Sequence, residues 1–283
     1  MSPDGGHFAP GGARRNARPY CERVIMSSTD KERTLYGRKW NNIHEGYFSD
    51  PAVAAPFIDA ISSAMRESHP TVVADLGGGT GFILAVLLER GENGSALFVD
   101  VDSSPEQLAQ AVDPRINCIP CSIPETRREL LVSPEGTLLL CMRSVLHYFG
   151  RSGLRPVLSH LRSLMCAGEY LVHQTASFED VRGQEILNTI YEGMDTGKWY
   201  PTLEELALSM RDEGWEVVSV EPAPSLALSM IELAERYGMT AKALSAIGLE
   251  IERKYGSTPG VFMPCEQGFT TYLDYHILKC RAA

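Results

Sequence analysis

The sequence predicts an α/β domain in which helices cover both faces of a mainly parallel sheet. Three observations carry this prediction. Short apolar segments alternate with helical segments from residue 71 to residue 176. The apolar segments are continuous, as expected for strands that are buried on both faces. A run of glycines follows the first of them, where a strand turns into a helix.

Composition and charge restrict the classes of function. The 283 residues are 44% hydrophobic and 22% charged, as in ordinary globular domains. The 26 basic and 36 acidic residues give a net charge of −10, which argues against a nucleic-acid partner. The apolar runs are shorter than the ~18 residues that span a bilayer, so we expect no membrane partner.

The cysteines favour a reducing environment. Their number is 7, which is odd in a long chain and argues against a disulfide framework. We therefore expect a cytoplasmic protein. Cys118 and Cys121 form a C-x-x-C pair, but no second Cys or His pair follows at zinc-site spacing, so we expect no metal.

The chain is expected to consist of an arm and one domain. Residues 1–28 are rich in Gly, Pro, Ala and Arg without an apolar period, which predicts a disordered arm. Residues 29–283 are assigned to a single domain. Apolar residues at helical spacing predict a helix over 51–65, before the first strand.

Strands and helices then alternate along the chain. Strands are predicted at 71–76, 95–101, 116–120, 137–142 and 169–176, and helices at 81–90, 105–111, 125–131 and 154–165. A helix between two strands carries the chain back across the sheet, so that the second strand runs parallel to the first.

The regular alternation of strands and helices ends after residue 176. An additional helix is predicted over 178–195, and a sheet-covering helix over 202–213. Thr202 and Glu205 have the spacing of a capping box at the start of the second helix.

The C-terminal part is predicted to contain two strands and two helices. Pro222 and Pro224 follow a strand over 215–221 and are expected to interrupt it. Further helices are predicted over 226–237 and 240–255, and an alternating edge strand over 270–279.

The turn after the first strand carries the most informative motif. Residues 75–81 read DLGGGTG, which has the form D-x-G-x-G-x-G. Glycines let the backbone turn tightly and approach a ligand without a Cβ in the way. The spacing differs from the G-x-G-x-x-G of dinucleotide sites, and no Lys-Ser/Thr follows as in a P-loop.

The second strand ends in a carboxylate that is placed to bind a ribose. Asp102 lies 21 residues after Gly81 and directly before Ser-Ser-Pro-Glu, a helix start. An acid at this position of an open sheet accepts hydrogen bonds from ribose hydroxyls. Turn and cap chemistry is the alternative for Asp100 and Asp102, but the glycine loop favours ribose binding for Asp102.

The two motifs together resemble class I S-adenosylmethionine-dependent methyltransferases. The resemblance rests on ADLGGGTG and FVDVDSSPEQLAQA and covers about residues 35–222. It implies a Rossmann-like, seven-stranded sheet with an antiparallel last strand, and S-adenosyl-L-methionine as cofactor. The residues implied to hold the cofactor are Asp75, Gly77, Gly78, Gly79 and Gly81 at its methionine part, Asp102 at its ribose, and Val101 and Ser103 at its adenine.

The segment after the third strand departs from this family. An acid that often meets the adenine amino group is replaced by Cys121 and Ser122, so Ser122 or a backbone group is expected to substitute. Arg143, at the end of the fourth strand, is also assigned to the cofactor site. A nicotinamide-dependent oxidoreductase shares the βαβ unit and is an alternative that the glycine spacing disfavours.

Residues 39–48, KWNNIHEGYF, resemble the H-x-G-[YF]-[YWF] segment of several small-molecule methyltransferases, such as the tocopherol and cyclopropane-fatty-acid types. The resemblance implies a lid over the cofactor, formed by residues 34–66. Tyr47 is assigned beside the sulfonium because cations bind well to ring faces, and His44 is a weaker candidate. The alternative is an aromatic cluster that packs the N-terminal helix onto the sheet.

Residues 141–149, CMRSVLHYF, resemble the plant-type O-methyltransferase segment that ends in His-Asp-Trp. His147 falls on the position of the general base, and an imidazole with a pKa near ~6.5 suits the removal of a hydroxyl proton. Tyr148 and Phe149 replace Asp-Trp, and the long N-terminal dimerisation domain of that family is missing. A role for His147 as pocket wall therefore stays open.

The acceptor is predicted to be a small molecule under helical insertions at 178–200 and 225–260. Candidate substrate contacts are Tyr148, His173, Tyr191, Met194 and Trp199. Transfer to a hydroxyl is preferred, and N- or C-methylation is the close alternative. A non-catalytic, cofactor-binding partner subunit is a more distant one, and a homodimer is left open.

Overall fold

A computed structural model describes residues 46–92, 94–111 and 113–283. The predicted arm over 1–28, the first part of the predicted lid and His44 lie outside the described residues. The first helix, α1, spans Pro51–Ser68 and contains the predicted segment 51–65. Asp50 caps it by accepting a hydrogen bond from the Ala52 amide at 2.8 Å.

Five parallel strands form the main part of the sheet, as predicted. They are β1 Val72–Leu76, β2 Leu97–Asp102, β3 Ile116–Pro120, β4 Leu138–Arg143 and β5 Tyr170–Ala176, in the order β3-β2-β1-β4-β5. Every residue of β1 and β5 is buried, as expected for strands that are covered on both faces.

Helices connect these strands and cover both faces. They are α2 Phe82–Glu89, α3 Pro105–Leu108, α4 Arg128–Leu131 and α5 Gly150–Ser163, with 3-10 turns at Ile123–Glu125 and Leu146–Phe149. α1 and α2 pack on one face of the sheet and α5 on the other. The helix predicted over 125–131 is shorter than expected, because Glu125 ends the first 3-10 turn and only one α-turn follows.

The C-terminal part contains two covering helices, two strand-flanked helices and three strands. They are α6 Val181–Gly193, α7 Leu203–Asp212, β6 Trp215–Ser229, α8 Met230–Tyr237, α9 Ala241–Tyr255, β7 Phe262–Cys265 and β8 Gly268–Ala282. The capping box at the start of α7 is confirmed, since Thr202 and Glu205 bond to each other's backbone amides. α7 joins α5 on the second face of the sheet.

The sheet differs from the prediction in strand number and order. It has eight strands, and β8 lies between β5 and β6, antiparallel to both, so the last strand is not an edge. β8 extends past the end of β5, and there the short β7 pairs with it on the same side. The extra strand is β7, and it forms because β8 is longer than β5. Its pairing satisfies backbone N–H and C=O groups of β8 that β5 does not reach.

The prediction that the two prolines end β6 is also wrong. β6 continues through Pro222 and Pro224 to Ser229, with a register shift between Ala223 and Leu226. Residues 226–229, predicted as helix, are therefore strand. Among the described residues, β6 pairs only with β8, and on such an edge a missing N–H can face away from the ladder.

Beyond the end of β5, the C-terminal elements enclose a second core. The apolar residues of α6, α8, α9 and β7 pack there against the far halves of β6 and β8. Leu233 on α8 and Leu244 on α9 are completely buried in it. This core stands beside the carboxyl ends of the parallel strands, where ligands bind in open sheets of this kind.

Candidate functional site

A cavity of about 400 Å³ opens at the carboxyl ends of β1, β2, β3 and β4. It is lined by the turns that follow these strands, and by Phe48 from the segment before α1. The predicted cofactor residues among its lining are Asp75, Gly77, Gly78, Val101, Asp102, Ser122 and Arg143. Residues from four separate strand ends therefore meet around one space.

The glycine loop is a tight turn held by backbone hydrogen bonds. Gly77, Gly79 and Gly81 have φ values of +74°, +67° and +71°, which side chains rarely adopt. The Gly77 amide donates to the Val101 carbonyl at 2.7 Å, which ties the loop to β2. Gly79 and Gly81 do not line the cavity themselves, but their conformations bring Gly77 and Gly78 to its wall.

Two of the glycines have no room for a side chain. A Cβ at Gly78 would stand 2.5 Å from Asp100 Oδ1 and 2.8 Å from Asp75 Oδ2. A Cβ at Gly77 would stand 2.9 Å from a methyl group of Val145. The loop can therefore lie directly against these side chains only as bare backbone, and it forms a cradle of bare backbone at the cavity wall.

Asp102 is fixed in place by backbone amides from both sides. Its Oδ2 accepts a hydrogen bond from the Gly79 amide at 3.1 Å, and its Oδ1 accepts one from the Ser104 amide at 2.7 Å. The carboxylate thus joins the glycine loop to the start of α3 and borders the cavity. Carboxylate oxygens accept several hydrogen bonds each, so ribose hydroxyls can still be bound.

The side of the cavity assigned to adenine is formed by the ends of β2 and β3. Val101 and Ser103 line it from β2, and Cys121 and Ser122 from the end of β3. Ser122 Oγ donates to Glu125 Oε2 at 2.5 Å. Glu125 therefore supplies an acid close to the place where the resembled family has one and this chain has Cys121 and Ser122. This acid lies three residues after Ser122, and sequence reasoning missed it.

Two further acids, Asp75 and Asp100, lie beneath the loop. Burial raises the pKa of Asp75 to about 7, and the nearby Asp102 raises it too, while contacts with Cys141 and Arg143 oppose the rise. Burial raises the pKa of Asp100 to about 9, and the charges of Asp75 and Asp102 add to this. Asp75 lines the cavity, whereas Asp100 lies behind it.

A second, small cavity of about 10 Å³ adjoins the first. Its lining is aromatic and cationic, and comes from segments far apart in the chain: Phe48, Ser144, His147, Tyr148, Tyr191, Lys198, Tyr200, Leu226, Arg236, Leu273 and Tyr275. Phe48, Ser144 and Tyr148 line both cavities. These three residues therefore form the boundary between the two cavities.

His147 lies in the second cavity and not in the first. The residue is 4% exposed, and its ring stacks on that of Tyr200 with ring centres 5.2 Å apart. The ring of Tyr148 also packs against it, with ring centres 4.3 Å apart. The Trp199 amide donates to the His147 carbonyl at 3.2 Å and fixes the turn.

Arg143 connects the N-terminal segment with the sheet. Its Nη1 donates to the Phe48 carbonyl at 3.1 Å and its Nε to Gln174 Oε1 at 3.2 Å. The guanidinium also lies over the rings of Tyr47 and Phe48, at 5.6 Å and 5.4 Å from their centres. Burial lowers its pKa from the usual range.

Several predicted residues lie outside both cavities. Tyr47 donates its hydroxyl hydrogen to the Pro224 carbonyl and stacks on Tyr275, so it packs against β6 and β8 rather than lining the first cavity. Its neighbour Phe48 borders the cavity instead. Met194 is buried in the second core, and Trp199 packs, partly buried, against the core around α5 and α7.

His173 also lies away from the cavities, in the middle of β5. It is completely buried, and its Nδ1 bonds with Thr175 Oγ1 at 2.7 Å. Burial lowers its pKa to about 4, so it is a neutral ring at physiological pH. Of the five predicted substrate contacts, only Tyr148 and Tyr191 line the second cavity.

Sequence reasoning missed Lys198, Arg236, Ser144 and Tyr275. The sequence did contain a signal for Arg236, because its spacing from Met230 and Leu233 places it on the same, buried face of α8. Ser144 had none in the sequence: it adopts a φ of +59° and its hydroxyl pairs with the Tyr275 hydroxyl at 2.6 Å. Only the folded chain brings these two hydroxyls together.

The described residues contain neither a metal-binding cluster nor a membrane-spanning helix. Over 46–92, 94–111 and 113–283, no three His, Cys, Asp or Glu side chains are grouped so as to hold a metal ion. In that same part of the chain, every helix is too short or too polar to cross a bilayer.

Comparisons with known proteins identify the fold. No protein-family profile and no curated protein matches the sequence. A candidate methyltransferase from Bacillus halodurans superposes with a TM-score of 0.58 at 11% identity, over 78% of this chain and 97% of that one. Mitomycin 7-O-methyltransferase gives 0.54 at 14% identity, over 91% of this chain and 61% of that one.

A third similar structure is geranyl diphosphate methyltransferase in complex with S-adenosylmethionine. It superposes with a TM-score of 0.53 at 14% identity, over 84% of this chain and 88% of that one. The identities are low, but the three structures agree on the architecture. The chain therefore has a Rossmann-like α/β fold of the methyltransferase type, with eight strands.

Proposed function

We propose that the chain is an S-adenosylmethionine-dependent methyltransferase that acts on a small molecule. One observation carries the proposal: the glycine loop and the fixed Asp102 carboxylate border a cavity of about 400 Å³, which meets a second, aromatic compartment. A cavity of this volume is in the range of cofactor sites. The cofactor would supply an activated methyl group on a sulfonium.

The chain's own residues then hold and align the reactants. Asp75 and the glycine loop would bind the methionine part, Asp102 the ribose, and Ser122 the adenine end of the cofactor. Phe48 and Tyr148 lie at the boundary of the two cavities, where an aromatic face can stabilise a cation and exclude water. Methyl transfer needs little more than such alignment and dryness.

The preferred acceptor is a hydroxyl group, with His147 as general base. The support is that His147 lines the compartment next to the cofactor cavity and is held by two tyrosine rings. N- or C-methylation needs no such base, and in that case His147 would shape the pocket. The similar O-methyltransferase structure leaves this choice open, because its identity to this chain is only 14%.

Binding of S-adenosylhomocysteine tests the cofactor assignment. We expect titration calorimetry to detect binding of this product and none of a nicotinamide dinucleotide. Asp102→Ala should weaken the binding by ~10-fold or more, because charge-assisted hydrogen bonds are lost. Asp59→Ala, at an exposed position of α1, is the control and should bind like the parent. Unchanged affinity of the Asp102 variant would refute the ribose assignment.

A pH–rate profile tests His147. With an acceptor found by screening hydroxylated small molecules against methyl-labelled cofactor, the parent should lose rate below neutral pH as the imidazole becomes protonated. His147→Ala should lose that acid limb together with most of the rate. An identical limb in both proteins means that His147 is not the base, and a complete lack of transfer with retained cofactor binding favours the non-catalytic alternative.

A further inference from the structure

Two carboxyl groups lie side by side in the sheet beneath the glycine loop. Asp75 on β1 and Asp100 on β2 are register partners, and Cys141 on β4 and Cys118 on β3 continue the same row. Register partners in a parallel sheet direct their side chains to the same face. The acids are therefore neighbours, flanked by a thiol on each side.

The pair is cut off from water. Asp75 is 1% exposed and Asp100 is 0% exposed. Within the described residues, Asp75 Oδ1 and both carboxyl oxygens of Asp100 accept no hydrogen bond from another group. Asp100 Oδ1 and Asp75 Oδ2 both face Gly78, at 2.5 Å and 2.8 Å from the position of a Cβ on that residue. Two neighbouring buried like charges are unfavourable, so a proton retained by the pair is favoured.

The surroundings decide which acid ionises first. Arg143 and the Cys141 thiol lower the pKa of Asp75, whereas burial and Asp102 raise it. Asp75 also lines the cavity, where a cationic ligand would favour its charged form. These groups make Asp75 the stronger acid of the two.

Asp100 has fewer groups that favour its charge. Burial, Asp75 and Asp102 all raise its pKa. Its other neighbour, Cys118, has a raised pKa itself and stays an uncharged thiol. The N-terminus of α2 is close, since a Cβ at Gly81 would be 3.3 Å from Asp100 Oδ2, and it opposes the rise.

We propose that Asp100 is a positioning residue for cofactor binding: it remains a neutral acid and donates its hydroxyl hydrogen to Asp75. The hydrogen bond holds the Asp75 carboxylate toward the cavity, ready for the ammonium group of the cofactor's methionine part. Below the pKa of Asp75, binding releases the Asp75 proton to solvent, and Asp100 keeps its own. This inference rests on the proposed cofactor.

The pH dependence of S-adenosylhomocysteine affinity tests the pair. Titration calorimetry in buffers of different ionisation enthalpy measures both the affinity and the protons released. In the parent, affinity should rise by about tenfold per unit as the pH approaches about 7 from below, and then level off, because ionised Asp75 is the binding form. The proton release should fall to zero over the same range.

Two substitutions of similar size separate the role of Asp100 from simple packing. Asp100→Asn keeps a hydrogen-bond donor beside Asp75 and should leave the midpoint and the affinity at pH 8 within about threefold of the parent. Asp100→Leu removes the donor. Its midpoint should move up by about one pH unit, and its affinity at pH 7 should fall about tenfold, because a hydrogen bond to the charged form of Asp75 is lost.

Two outcomes with the variants overturn the role of Asp100. In one, the Leu variant has the midpoint and affinity of the parent; in the other, the Asn variant behaves like the Leu variant. A parent that binds without proton release at pH 6 also overturns it, whereas a parent that binds at no pH refutes the proposed function instead.

Infrared spectroscopy provides a second measurement that needs neither ligand nor the Leu variant. At pH 8 the parent should show the carbonyl band of an un-ionised carboxylic acid, and Asp100→Asn should lack it. A parent without the band at this pH overturns the inference even where the Leu variant does not fold.

Discussion

The two cavities are built in opposite ways. The cofactor cavity is lined almost entirely by the turns after four parallel strands, so its residues cluster in short sequence motifs. The second compartment takes its residues from the segment before α1, the turn after β4, α6 and the loop after it, and β6, α8 and β8. The residues of the first cavity are therefore close together in the sequence, whereas those of the second are brought together only by long-range packing.

The cores that support the two cavities also differ. The cofactor side stands on the central sheet between α1 and α2 on one face and α5 and α7 on the other. The acceptor side stands on the separate core around α6, α8 and α9. Substitutions in the second core should therefore affect stability and acceptor binding while they leave the cofactor cavity unchanged.

The largest expected effect tests this separation on α8. Leu233→Ala removes a completely buried side chain and should lower the free energy of unfolding by ~2–5 kcal/mol. Ile231→Ala, at an exposed position of the same helix, should change it by less than ~0.5 kcal/mol. Denaturant unfolding measures both. If Leu233→Ala also abolishes S-adenosylhomocysteine binding under folding conditions, the two sides are not independent.

A smaller effect is expected from overpacking the cofactor side. Gly78→Ala places a Cβ against Asp100 and Asp75 and should destabilise by ~1–3 kcal/mol, with at least ~10-fold weaker S-adenosylhomocysteine binding. Gly168→Ala is the control, since it has a φ of +89° but open space around it. This control substitution should destabilise the protein through backbone strain alone and should leave the S-adenosylhomocysteine affinity unchanged. Equal affinities in the two variants would contradict the cradle.

The acid pair should also make stability depend on pH. The pKa of Asp100 is raised in the folded state to about 9, so the folded chain retains a proton that the unfolded chain has lost above about pH 4. Its contribution to stability is therefore present at low pH and is lost as the pH rises toward 9, by up to ~1.4 kcal/mol per unit.

Asp100→Asn measures this contribution. Urea unfolding at pH 6 and pH 8 should show ~2–3 kcal/mol less pH dependence in this variant than in the parent. Asp212→Asn, an exposed acid at the end of α7, is the matched control and should keep the parent's slope. Parallel pH profiles of parent and Asp100→Asn would show that Asp100 is ionised in the folded state.

The smallest expected effect concerns the boundary between the two regions. Tyr47→Phe removes the hydrogen bond to the Pro224 carbonyl and should destabilise by ~1 kcal/mol without changing cofactor affinity. The ring still stacks on Tyr275, so packing is retained. A clear loss of S-adenosylhomocysteine affinity in thermal-shift and calorimetric titrations would instead place Tyr47 beside the cofactor, as the sequence predicted.

The sequence predicted much of the first region and little of the second. Asp75, Gly77, Gly78, Val101, Asp102, Ser122 and Arg143 were predicted and line one cavity, because strand-end turns keep cofactor residues close in sequence. Of the predicted substrate residues, Tyr148 and Tyr191 line the second cavity, whereas His173 is buried in β5, Met194 is buried in the second core, and Trp199 is partly buried. An aromatic residue in a sequence does not reveal whether it faces a core or a cavity.

The sequence by itself determined the alternation of strands and helices, the glycine turn and the placement of Asp102. These features depend on hydrophobic period, φ freedom and chain direction, which are properties of a few neighbouring residues. Only the tertiary structure decided that β8 lies between β5 and β6, and that Ser144 meets Tyr275. It also decided that Asp75 and Asp100 share one buried space, because strand order and register bring together residues that the sequence keeps apart.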